Sequence, residues 1–268
     1  MKRFRLPSEI PIEEYPSPEE FINEATAIVE GAKERGITLR VIGGMAIYMH
    51  SKEYEDLWKR LKRLGARVFT DIDLAGYSKE RDKIAKFLAE RGYEVDQRLL
   101  MYYGRVRQIY YSDRIPMVEV FLDRLAMNHT IEFKGRLEKD PLTLPLAELL
   151  LEKLQIVRMN DKDFKDSIVL LRAHEFGWDD NDKINLEAFK IQGLFDDWGF
   201  WYTVTTNLQL LRSKLDEYDI EESHKVVVRS RIDELLKYLN ETPKSKKWEK
   251  RAKIGTKEKW YNEVEEWH

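Results

Sequence analysis

Asp71 and Asp73 stand one residue apart in the otherwise apolar run FTDIDLAG, residues 69–76. In an extended chain side chains alternate between faces, so the two carboxylates share one side and Ile72 and Leu74 the other. Like charges that close raise one another's proton affinity unless a cation lies between them, and a divalent ion with oxygen ligands is the usual remedy. A solvated strand end could carry the same pair, so the chemistry depends on what accompanies it.

Three further elements carry suitable residues. In VIGGMA, residues 41–46, a strand runs through Gly43 and Gly44 into a helix. Glycine offers no Cβ, and the helix N-terminus favours negative charge, so phosphate is the natural guest there. In PMVEVFLDRL, residues 116–125, Glu119 interrupts an alternating strand and is a candidate third acid, with Asp123 as the alternative. In LLLEKLQIVRMNDKDFKD, residues 149–166, Lys153 falls in helical register with Leu146, Leu149, Leu150 and Val157, so its ammonium must leave an apolar stripe or meet a partner. Asp163 and Asp166, three residues apart, share one face of the next helix.

Other chemistries are excluded or unsupported. The chain has no cysteine, hence no disulfide, thiolate nucleophile or Cys-bound zinc. His50, His129, His174, His224 and His268 are scattered without zinc spacing, and neither a serine-hydrolase elbow nor a Walker loop is present. A net charge of -3 gives no global attraction to nucleic acid or membrane. No apolar run is long enough to span a bilayer, and the N-terminus turns acidic and proline-rich too soon for a signal peptide. The expectation is a cytoplasmic protein without a membrane partner.

The elements that must position these residues follow from local signals. Ser17-Pro18-Glu19-Glu20 is a capping box with proline at the first helical position, and the helix should run to about Arg35, before Gly36. Ile37 to Ile42 reads as a strand and Met45 to about Ser51 as the start of a helix. An amphipathic helix with Leu57, Leu61 and Leu64 precedes the strand of the aspartates, and Ser78 caps another helix that Gly92 ends. Extended runs are expected at Leu99–Tyr103, Arg105–Tyr111 and Ile115–Leu122. From Pro145 onward, including DKDFKDSIVLLRAHEFG, the pattern is helical. This gives two domains, 1–144 and 145–268, and an α+β fold class: a mixed sheet flanked by helices, followed by an α-helical C-terminal region.

The order of strand, Gly-Gly, helix, D-x-D strand and later acid resembles the nucleotidyltransferase superfamily typified by DNA polymerase beta. The K-L-x-x-x-R helix followed by K-D-x-x-D is similar to the later motifs of its AbiEii/AbiGii-type branch, which includes toxin components of toxin–antitoxin systems. The resemblance covers residues of roughly 37 to 170. It implies a polymerase beta-like core and a transferase that uses Mg2+ ions, two of them, with an NTP as substrate. Gly43 and Gly44 would cradle the triphosphate, and Asp71, Asp73 and Glu119 would bind metal. Lys153 would contact phosphates, Asp163 and Asp166 would complete the later motif, and Arg158 lies near them. An antitoxin is an implied partner.

Three features depart from that pattern. The spacer of residues 45–70 is long for the superfamily, and Met45 and Glu119 stand where a small residue and an aspartate are more usual. In the C-terminal region, eight Lys or Arg between Lys244 and Lys259 accompany Trp248, with Trp260 and Tyr261 just beyond. Such a stretch can hold an RNA or tRNA acceptor through phosphate contacts and stacking, or can be a solvated helix packed by its tryptophans.

Overall fold

Ser17 opens the first helix, α1 (Pro18–Glu34), with the expected capping box: its hydroxyl accepts the Glu20 N–H, and the Glu20 carboxylate accepts the Ser17 N–H. Arg35 closes the helix and Gly36 turns the chain at φ +66°. The computed structural model describes residues 5–63 and 68–264. Leu64 and His268, named above, lie outside them. The protein is α+β, 55% helical, with a mixed five-stranded sheet.

The chain divides into two compact units. The first holds Met1–Met49, Leu64–Leu125 and Glu132–Pro145; the second holds His50–Arg63, Ala126–Ile131 and Leu146–His268.

In chain order after α1 come β1 (Leu39–Val41), α2 (Gly43–His50), α3 (Glu55–Arg60), β2 (Ile72–Gly76), α4 (Arg81–Glu90), β3 (Glu94–Val95), α5 (Gln97–Tyr103), β4 (Arg107–Tyr111) and β5 (Met117–Leu122). The sheet of the first unit has the order β1-β2-β5-β4-β3, with β2 and β5 parallel and the other pairs antiparallel. One face is apolar: Ile72, Leu74, Val118, Val120, Leu122 and Tyr110 are buried. Helix α1 adds Phe21, Ala25, Ile28 and Val29 to this unit's core, and α4 adds Ile84, Phe87 and Leu88. Burial of such side chains is the main stabilising term, about 2 kcal/mol each.

The extended run expected at Leu99–Tyr103 is instead helix α5. The Asp96 carboxylate accepts the N–H groups of Arg98 and Leu99, both at 3.0 Å, and this cap commits the segment to a helix. Met101 and Tyr102 are 79% and 76% exposed. Ser78 begins a short 3-10 turn without a side-chain cap, and α4 follows it.

Beyond β5 lie the two-stranded pair β6 (Arg124–Ala126) and β7 (Thr130–Glu132), then α6 (Leu146–Leu154), α7 (Asp161–Ala173), β8 (Glu175–Gly177), β9 (Lys183–Asn185), α8 (Leu186–Ile191), α9 (Trp198–Lys214), α10 (Glu222–Glu241) and α11 (Lys246–Ile254). Helix α6 is buried on nearly every side and packs against α7, α8 and α9. It ends at Leu154, so Val157 falls outside it. The Asn207 amide donates to the carbonyls of Leu154 and Ile156, both at 2.8 Å, and so satisfies groups that a helix end leaves open. The region is also not wholly helical: Glu175–Gly177 leaves the expected helix and pairs in parallel with β9. Strands of three residues are too short to show an alternating pattern.

Candidate functional site

Register along the sheet decides which side chains meet. Asp73 lies opposite Glu119, Ala75 opposite Phe121, Arg107 opposite Phe121 and Ile109 opposite Glu119. Paired residues point to the same face, so Asp73, Glu119, Phe121 and Arg107 share the face opposite the apolar one. Asp71 precedes β2 by one residue and, like Asp73, is partly exposed. Its carboxylate accepts the Thr70 hydroxyl at 3.2 Å.

The glycine turn packs directly on Asp73. Gly43 holds φ at +70°, and a Cβ built on it would stand 3.2 Å from Asp73 Oδ2. The Ile42 N–H donates to the Asp73 carbonyl at 3.0 Å, which fixes the end of β1 against β2. Helix α2 then begins on Gly43 itself, two residues earlier than the sequence pattern suggested.

Of the two candidates for the third acid, Glu119 is the one in register with Asp73. Asp123 lies past the end of β5 at φ +66°, and its carboxylate accepts the Ser78 N–H at 2.9 Å. Glu119 is buried and its carboxylate contacts the Arg107 guanidinium. Arg107 also lies over the Phe121 ring, 5.4 Å from its centroid. Burial lowers the proton affinity of this guanidinium, and the charges of Asp73 and Asp71 oppose that effect.

Asp71 and Asp73 supply the oxygen ligands that magnesium prefers. Glu119, paired with Arg107, does not complete a set of three. Among the described residues no three His, Asp or Glu side chains form a group suited to a metal ion.

A second cluster lies within the second unit. Lys153 leaves the apolar stripe of α6 and meets Asp166 Oδ2 at 3.1 Å and Asp163 Oδ1 at 3.8 Å. Arg63 Nε donates to Asp166 Oδ1 at 2.6 Å, and its Nη2 donates to Oδ2 at 3.2 Å. Asp166 is fully buried, yet Lys153 and Arg63 outweigh that burial and hold its carboxyl below the usual range. For Asp163 burial prevails over the Lys153 charge and raises the pKa. Burial also acts against the Lys153 ammonium, but the charges of Asp166 and Asp163 more than compensate and raise its pKa. Asp163 has a structural duty as well: its Oδ2 accepts the Asn160 N–H at 3.1 Å, completing the cap of α7.

Arg158 is exposed and belongs to neither ion-pair set. With Asn128, Asn160, Asp163 and Tyr261 it lines a cavity of about 500 Å³ in the second unit. Arg63 and Arg107 are the residues that sequence reading missed. Arg107 had a faint signal, a charged residue in step with Ile109 and Tyr111 along a strand. Arg63 had none, because its partner lies 103 residues away.

The tryptophans of the basic C-terminal stretch are engaged in packing. Trp248 meets Trp201 edge to face at 5.1 Å, and Trp260 meets Tyr202 at 5.3 Å and donates its N–H to Thr203. Lys246, Lys247, Lys250 and Lys253 on α11 remain exposed. No helix among the described residues is long and apolar enough to cross a membrane. The sequence matches no protein-family model and no curated protein.

Proposed function

We propose that this chain is a magnesium-dependent nucleotidyltransferase of the DNA polymerase beta-like superfamily, akin to the AbiEii/AbiGii-type branch. It would move a nucleoside monophosphate from an NTP to a hydroxyl and release pyrophosphate. The observation that carries this reading is the packing of the Gly43 turn on the Asp73 carboxylate, which sets a helix N-terminus beside a pair of acids.

The residues divide the work. Gly43 and Gly44, with the first N–H groups of α2, receive phosphate oxygens because no Cβ obstructs them. Asp71 and Asp73 would hold magnesium, which supplies charge neutralisation for the leaving pyrophosphate and activation of the acceptor hydroxyl. In the second unit Lys153, held by Asp166 and Asp163, keeps its proton. The acceptor is an RNA or tRNA end, a protein side chain or a small molecule, and the exposed lysines of α11 favour RNA.

Labelled NTP and Mg2+, incubated with total RNA, a metabolite pool or the protein itself, test the reading. Transfer by the wild type and its loss in the D71A/D73A double variant are expected; transfer that survives the double variant removes the assigned site. An antitoxin partner belongs to the same reading, and growth arrest on expression that depends on Asp71 is its check.

The pairing of Glu119 with Arg107 favours a second reading, a non-catalytic nucleotide- or RNA-binding protein on the same scaffold. It requires NTP binding by calorimetry with no transfer to any acceptor.

A further inference from the structure

The acid cluster of the first unit contains a cation of its own. Glu119 is 6% exposed and Arg107 33%, and their side chains are in contact. Register places the same guanidinium on the sheet face of Asp73, which lies opposite Glu119, and the charges of Asp73 and Asp71 act on it. Its position is fixed by register: opposite Phe121 on β5, two residues from Glu119, with the guanidinium over the Phe121 ring. A cation held above an aromatic face and against a buried carboxylate is preorganised, not a wandering surface side chain.

We infer that Arg107 is a resident counter-cation of Asp71, Asp73 and Glu119, and that a divalent ion must compete with it for these carboxylates. The inference rests on the proposed metal role of the two aspartates and adds a control on it. With Arg107 in place, Glu119 is neutralised and an incoming dication meets a like charge. With Arg107 turned away, Glu119 becomes the third oxygen donor. The arginine therefore sets the threshold of metal concentration at which the site fills, and it suppresses the repulsion among the acids when no metal is bound.

The test uses the full chain and Mn2+ alone, without nucleotide, read by calorimetry and by thermal melting. R107M keeps a stem of similar length over Phe121 and removes the charge. Its Mn2+ affinity should rise roughly tenfold, the effect of deleting one nearby like charge. Without metal it should melt below the wild type, and Mn2+ should restore much of the difference. R107K, which keeps a charge but not the planar fork, should fall between them and serves if R107M does not melt cooperatively. D71N/D73N should abolish the binding.

An R107M or R107K affinity no tighter than that of the wild type, including no binding in any form, overturns the competition. Binding that persists in D71N/D73N overturns it as well. NTP transfer decides the other question separately: transfer by the wild type with unchanged Mn2+ affinity in R107M removes the competition and leaves the nucleotidyltransferase reading standing.

Discussion

Gly43 and Asp73 are fitted to each other: the glycine holds φ at +70°, and any Cβ there would stand 3.2 Å from the aspartate Oδ2. G43A therefore meets two penalties, left-handed backbone for an L residue and a push against the carboxylate. Gly36 supplies the control, since it holds φ +66° with nothing within 4 Å of its Cβ position. Both alanine variants should lose roughly 1–2 kcal/mol of stability from backbone strain. Only G43A should also lose nucleotidyl transfer when assayed well below its melting temperature; equal activity in the two would detach the turn from the site.

Asp166 is the centre of the second cluster, between Arg63 and Lys153. D166N leaves two largely buried cations without their shared anion and should cost about 3 kcal/mol in denaturant unfolding. D163N should cost less, because burial already disfavours the charged form of Asp163. The pH dependence follows from the two directions. Asp166, with a lowered folded pKa, contributes stability that is present above the ordinary aspartate range and is lost as pH falls through the lowered value. Asp163, with a raised one, contributes in the opposite sense, and its share is lost as pH rises through the raised value. D166N should thus flatten the acid limb of a stability profile, and D163N should not.

His129 is buried in the second unit, stacked at 4.9 Å on Phe200, with Nε2 2.9 Å from the Thr203 hydroxyl. Burial pushes its pKa down to about 4, from an ordinary value of 6.5, and the Asp197 charge only partly opposes this. The fold thus favours neutral imidazole. Its contribution is present above pH 6.5 and is lost as pH falls towards 4, because the unfolded chain takes up the proton first. The wild type should be about 2 kcal/mol less stable at pH 5 than at pH 7.5 through this group. H129Q should remove most of that slope.

The signals that were legible were local. The Ser17 cap and the Gly-Gly turn each lie within a few residues, and the structure realises both directly. What was hidden depended on pairing at a distance. Arg107 meets Glu119 through strand register, and Arg63 reaches Asp166 across 103 residues, so neither contact has a spacing to read. Helix α5 departs from the extended pattern because the Asp96 cap decides its conformation, with Met101 and Tyr102 facing solvent. Strands β8 and β9 are simply too short for periodicity.

The aromatic residues of the C-terminal stretch and its lysines should separate in experiment. Trp248 is held against Trp201 and beside Lys244, whose ammonium lies 5.9 Å from its ring centroid. It is therefore part of the packing, and W248A should lower the unfolding free energy by about 3 kcal/mol. Lys246, Lys247, Lys250 and Lys253 are exposed on α11, where a phosphate backbone can reach them. If this helix receives an RNA acceptor, affinity comes from charge and not from stacking on Trp248. Replacing Lys246, Lys247 and Lys250 by alanine should then leave stability within about 0.5 kcal/mol. It should weaken single-stranded RNA binding and reduce the slope of log K against log salt by about 0.7 for each phosphate no longer neutralised. The conservative W248F should keep both the fold and the salt slope. Loss of RNA binding in W248F with the lysines intact would instead assign the recognition to stacking, and unchanged binding in the triple-lysine variant would move the acceptor away from α11.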